Sequence, residues 1–189
     1  LWYLYSNSDF LVVGHVSGPV VLGYYALAFQ LMQIPAQKIT SNLGQIAFTV
    51  FCRAHETRQD VGRLYIRIVS LGLLVIPPVM VGATLVADDG IPLLIGEKWR
   101  PVVVPFRMLS IVGVASLFSA VLLALLNAIG RPEISFKYTA VNSALFPLTF
   151  FLAGKSFGVT GVCLVWMIMY PIVVVGLFAA TRCLTGINS

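Results

Sequence analysis

The stretch Val21–Cys52, VLGYYALAFQLMQIPAQKITSNLGQIAFTVFC, decides how this chain is read. It runs for 32 residues with one charged residue, Lys38. A helix needs about 20 apolar residues to cross a hydrocarbon core of about 30 Å. At about 1.5 Å per residue this run exceeds one crossing, so it tilts, kinks at Pro35 or protrudes. Within it, Gln30, Gln33, Gln37, Ser41 and Gln45 are spaced 3, 4, 4 and 4 residues apart. At about 100° per residue they form one narrow stripe, flanked by Lys38 and Asn42. Amides facing lipid lack partners, so the stripe faces protein or a water-filled cavity.

The rest of the chain agrees with a membrane setting. Of 189 residues, 59% are hydrophobic and 10% are Asp, Glu, Lys or Arg, and mean hydropathy is +0.94. A soluble domain carries about 25% charged residues. Seven acids and twelve Lys plus Arg cannot coat a globule of this size. Disordered, nucleic-acid-binding and ordinary cytosolic classes are excluded, which leaves a polytopic membrane protein. The net charge of +5 belongs to loops rather than to a nucleic-acid footprint.

Five more apolar runs flank the first. The predicted spans are about 1–17, 21–52, 64–87, 102–129, 134–153 and 162–184. Gly18-Pro19 separates the first two, and Gly130-Arg131-Pro132 the fourth and fifth. Gly154 to Gly161 reads as a tight turn. Pro77-Pro78 breaks the third run, and Asp88-Asp89-Gly90 ends it. Ile91 to Ile95 is too short to span and is expected at the interface, with Trp99 at headgroup depth. Short connections make neighbouring spans antiparallel. The expected fold is all-α: a single six-span transmembrane bundle over residues 1–189, with no internal domain boundary. The chain begins at Leu1 inside an apolar run, so we expect a piece of a longer protein.

Charge sets the expected orientation. Arg53, Arg58, Arg63, Arg67, Arg131, Lys137 and Arg182 gather at one set of ends. Lys98, Arg100 and Lys155 lie at the other, beside Asp88, Asp89 and Glu97. Basic loops stay in the cytoplasm, so the first set is cytoplasmic and an even number of spans should precede this chain.

Ionisable groups at membrane depth are costly and mark function or packing. Asp9 sits mid-span, with Asn7 two residues earlier. Asp9 is a cation or proton site, a substrate contact, or a packing partner for a basic or hydroxyl group. His15 near the outer end is interfacial or proton-linked. The stripe Gln30, Gln33, Gln37 and Ser41 suits the wall of a cavity for a polar, sugar-like solute. Hydrogen bonding between helices, at about 0.6 kcal/mol each, is the other reading. Lys38 either contacts an anion such as phosphate or snorkels to the cytoplasmic end. Arg107, a few residues into its span, snorkels or meets an anion in the cavity.

No HExxH, P-loop or GxGxxG sequence occurs, and the glycine cluster from Gly154 to Gly161 reads as a turn between spans, so no enzyme chemistry and no cofactor is expected. Cys52, Cys163 and Cys183 are widely spaced and read as small hydrophobes. No metal-ligand spacing is present.

The order of local motifs resembles a known family. Asn7-Ser8-Asp9-Phe10-Leu11-Val12-Val13-Gly14 leads into Leu22-Gly23-Tyr24-Tyr25-Ala26-Leu27-Ala28, then Ile34-Pro35. Downstream come Ile91-Pro92-Leu93-Leu94-Ile95-Gly96-Glu97-Lys98-Trp99 and Ala128-Ile129-Gly130-Arg131-Pro132. In order and spacing these resemble the polysaccharide transporter family. Its members flip lipid-linked oligosaccharides for O-antigen, lipopolysaccharide and exopolysaccharide synthesis, within the multidrug/oligosaccharidyl-lipid/polysaccharide superfamily.

The resemblance implies a MATE-like transporter of two six-helix lobes in a bacterial inner membrane, with this chain as the second lobe. It implies alternating access driven by an ion gradient, with Asp9 and Asn7 as coupling candidates. Gln30, Gln33, Gln37, Ser41, Lys38 and Arg107 are then candidate substrate contacts. The implied partners are the lipid-linked oligosaccharide, membrane lipids, the N-terminal lobe, and a polysaccharide polymerase and glycosyltransferases, with no nucleic acid. The alternatives are a drug/cation antiporter of the same superfamily or a membrane subunit of a polysaccharide-assembly enzyme.

Overall fold

The computed structural model describes residues 2–57 and 60–185, and the side chains of 7–54, 56–57 and 60–181. Arg58 and the side chains of Arg182 and Cys183 lie outside the described residues. The chain forms α1 (Trp2–Glu56), α2 (Val61–Ile95), a 3₁₀ turn (Glu97–Val102), α3 (Val103–Ala128) and α4 (Pro132–Thr185). Each of the four helices is long and apolar enough to cross a membrane.

Helices α1 and α4 are both folded back on themselves. In α1 the helical dihedrals fail at Gly18, where φ is 84° and ψ 171°. This is backbone that an L side chain resists and glycine adopts freely. In a straight helix Asp9 and Tyr25 would lie about 24 Å apart. Instead the Tyr25 hydroxyl donates to Asp9 over 2.6 Å, so the two halves run antiparallel.

In α4 the break falls at Gly158, with φ 59°. Phe146 before it and Trp166 after it bring their ring centroids within 5.2 Å. The expected break at Gly18-Pro19 is therefore present, but the expected turn over Gly154 to Gly161 contracts to one residue. Gly161 permits this, since a Cβ there would sit 2.3 Å from the Ala153 carbonyl oxygen.

A second departure concerns α2. Helix continues through Pro77-Pro78 and through Asp88-Asp89-Gly90 to Ile95, where the sequence reading ends a span at Ala87. Charge ends an apolar run without ending a helix. Asp88 is exposed and pairs with Arg107 of α3, so its carboxylate is answered while the backbone stays helical. The helix stops at Gly96, with φ 109°, whose N–H donates to the Pro92 carbonyl over 2.9 Å. At its start, Asp60 accepts from the Gly62 and Arg63 amides, satisfying otherwise orphaned donors.

Helix α3 is the centre of the bundle. Many of its apolar residues are buried, among them Leu109, Val112, Leu117, Val121, Leu122 and Leu126, while Val104 and Ile111 on one side are exposed. It packs against α1, α2 and α4. Gly113 lets Met32 of α1 and Met80 of α2 approach together, each 3.2 Å from where its Cβ would stand. One end of the bundle gathers the Gly18 and Gly158 turns and Trp99, which packs edge-on against Tyr24 at 5.8 Å. At the other end Tyr65 of α2 meets Phe178 of α4 at 5.9 Å.

Candidate functional site

Asp9 lies in the first half of α1 and is fully buried. Its Oδ2 accepts from the Tyr25 hydroxyl at 2.6 Å and from the Trp166 indole N–H at 3.1 Å. Its Oδ1 accepts from the Phe10 amide at 2.9 Å. The Trp166 N–H also reaches the Tyr25 oxygen at 3.1 Å, closing a three-membered network. Aromatic rings seal the site. Phe10 lies 5.4 Å from both Tyr25 and Phe29, and Trp166 packs on Phe146, Phe150 and Tyr170. A carboxylate in such a place is tolerated only when hydrogen-bonded. These partners are hydroxyl, indole and amide donors rather than a cation. Of the packing partners left open by the sequence, the hydroxyl is the one found.

Three helical segments therefore meet on one carboxylate: both halves of α1 and the second half of α4. Neither Tyr25 nor Trp166 stands out as a site residue in the sequence. Distance from the turns would have found them. Asp9 lies nine residues before Gly18, Tyr25 seven after it and Trp166 eight after Gly158, about the same depth in antiparallel segments. Asn7, two residues before Asp9, starts about 200° around the helix and is half-buried.

The stripe occupies the opposite kind of surface. Gln30, Gln37, Ser41 and Gln45 are exposed, Gln33 is half-buried, and Lys38 and Asn42 are exposed beside them. The inward face of the same helix holds Tyr25, Ala28, Met32, Ala36, Ala47 and Phe51. The stripe lies about a third of a turn from that face. Gln37, Lys38 and Ser41 line an open groove of about 490 Å³ together with Ile34, Thr40 and Ala120 of α3. Gln30 and Gln33 lie nearer the Gly18 end, outside this lining.

Arg107 stands apart from both groups. Its guanidinium pairs with Asp88 and donates to the Thr84 carbonyl, tying α3 to α2. His15 is exposed. Cys163 is buried and Cys52 half-buried, both as free thiols. Among the described residues no cluster of three or more His, Cys, Asp or Glu could hold a metal.

A bundle of long apolar helices, with an acid enclosed in its core and a polar face turned outward, defines a multi-pass membrane protein. The family described as polysaccharide biosynthesis protein matches residues 1–104, and the chain belongs to it. The lipopolysaccharide biosynthesis protein WzxC of Escherichia coli (strain K12) is 26% identical over 167 residues, 88% of this chain and 34% of that protein. The teichuronic acid biosynthesis protein TuaB of Bacillus subtilis (strain 168) is 29% identical over 164 residues, 87% of this chain and 34% of that protein. An uncharacterized membrane protein in the cps region of Klebsiella pneumoniae is 23% identical over 150 residues, 79% and 31% of the two chains. The chain thus spans about a third of the length of these relatives. No solved structure matches it.

Proposed function

We propose that this chain is one six-span lobe of a bacterial inner-membrane flippase that moves lipid-linked oligosaccharide across the membrane for cell-surface polysaccharide synthesis. The Gly18 and Gly158 folds turn four helices into six segments, and each segment makes one span. The basic ends, with Arg53, Arg63, Arg67 and Arg131, face the cytoplasm. The observation that carries the reading is the outward polar face of α1. Six polar side chains, Gln30, Gln37, Lys38, Ser41, Asn42 and Gln45, are exposed on a helix long enough to span. Facing lipid they would be costly. Facing a second lobe across a hydrated cavity they would bind sugar hydroxyls, with Lys38 on the phosphate, and the two lobes would rock around them. Arg107, held by Asp88, closes the outer end of α2 and α3 and has a secondary part in substrate contact. The neighbouring polymerase and glycosyltransferases would supply and consume the cargo.

Asp9 supplies the coupling in this proposal. While it accepts bonds from Tyr25 and Trp166, it holds three segments together. A proton or other cation taken up by Oδ2 competes with both donors and loosens that junction. Uptake and release of a cation thereby become a change in helix packing, which is what coupling requires. Asp9→Asn keeps the size and removes the charge. Because its described donors carry no charge, the substitution strands no buried cation. The variant should accumulate normally in the full-length protein yet lose gradient-driven export. Normal abundance with full export would remove Asp9 from the mechanism.

A further inference from the structure

The atoms around Asp9 restrict which cation it can take up. Hard metal cations are held by oxygen, about six ligands in the usual case. Among the described contacts of Asp9 the oxygens are its own Oδ1 and Oδ2 and the Tyr25 hydroxyl. The other contacts are N–H groups, from the Trp166 indole and the Phe10 amide, with their hydrogens toward the carboxylate. An N–H has no lone pair for a metal and turns its positive end toward one. The titratable groups that face Asp9 are Tyr25, from the second half of α1, and Cys163, from the second half of α4. Both are neutral near pH 7. No Lys, Arg or His among the described residues pairs with it.

Space restricts the site further. Asp9 and Tyr25 are 0% exposed and Trp166 5%. A metal ion would shed its water inside this aromatic cage with too few oxygens to replace it. A proton needs no room. Oδ2 and the Tyr25 oxygen already stand 2.6 Å apart, so a proton on Oδ2 lies in a ready hydrogen bond. The Tyr25 oxygen then accepts instead of donating. The Trp166 N–H, 3.1 Å from both oxygens, passes to that of Tyr25. The Tyr25 hydrogen loses its acceptor, which weakens the junction as coupling requires.

We propose that Trp166 makes Asp9 selective for the proton over sodium and other metal cations. Its N–H takes a place that an oxygen ligand would need, and its ring fills the volume that ligand water would need. The inference rests on Asp9 as the coupling group and adds which ion it takes. The proton comes from water at one membrane face, binds a lone pair of Oδ2 and leaves to water at the other face.

The test uses the full-length protein in lipid vesicles and infrared difference spectroscopy. The carbonyl stretch of the protonated carboxyl is assigned to Asp9 by its loss in Asp9→Asn. It is titrated against pH in choline, sodium and lithium chloride at equal ionic strength. The midpoint should be the same in all three salts. A metal sharing the site would lower it by about one pH unit for each tenfold rise in concentration. Trp166→Gln replaces the N–H donor by an amide with an oxygen and leaves room for about two waters. That brings the oxygens to about six, so the midpoint of this variant should become sodium-dependent to that extent. A sodium-dependent midpoint in the unaltered protein would overturn the selectivity and leave the coupling reading standing. A folded Trp166→Gln protein still indifferent to sodium would remove Trp166 as its cause. An Asp9 band that appears at no pH, with no response to sodium, would overturn the coupling reading and this inference together.

Discussion

Helix α1 handles polar groups in two opposite ways on either side of Gly18. Before the turn, Asp9 is enclosed completely, with both carboxylate oxygens engaged by donors from its own bundle. After it, beyond Phe29, a run of amides, hydroxyl and amine faces outward. The first arrangement is self-sufficient: the chain itself answers the group that it buries. The second is open, and on the proposed reading a second lobe faces it across the cavity. Substitutions at the first place should therefore read out in folding, except where charge alone changes, and substitutions at the second should read out in transport.

That contrast can be broken most forcefully at Trp166. Trp166→Ala removes an indole packed on Phe146, Phe150 and Tyr170 together with an Asp9 donor. It should cost about 3–5 kcal/mol of stability, by the usual range for a buried aromatic. Thermal unfolding of the purified full-length protein measures this, and an unchanged Tm would mean that the aromatic enclosure is not structural. Tyr25→Phe keeps the ring and deletes one hydroxyl, so about 1–3 kcal/mol should be lost, with the same readout. Gly158→Ala forces an L side chain into positive φ and should cost about 1–2 kcal/mol, while leaving Asp9 and its donors in place. At the smallest end, Gln37→Leu should change stability by no more than about 0.5 kcal/mol. Export by the same variant should still fall. A Gln37→Leu protein that is clearly destabilised would place the stripe in a packed interface and erase the contrast.

How much of this is legible in the sequence follows from which interactions are local. The Gly18-Pro19 break and the glutamine stripe are properties of a few neighbouring residues, and the structure keeps both. The extent of α2 is not legible, because Pro77-Pro78 and Asp88-Asp89 read as stops. Both pairs interrupt an apolar run, yet neither prevents the helix from continuing once Asp88 finds Arg107. The single-residue turn at Gly158 depends on how closely Gly161 approaches Ala153, which no local pattern announces. Asp9 is evident as an acid in an apolar run, but Trp166 lies 157 residues away and only the fold unites them.

The central claim is that the outward face of α1 borders water in the complete protein. Single cysteines at Gln30, Gln37, Ser41 and Gln45, in a cysteine-free full-length background, address it directly. Their reaction with a small hydrophilic thiol reagent is compared with that of cysteines at Ala28, Met32 and Ala36. The account predicts ready labelling at the four stripe positions and protection at the three buried ones, with labelling of the stripe reduced when lipid-linked sugar is present. Equal protection at all seven positions would contradict it and make the stripe a sealed helix–helix contact.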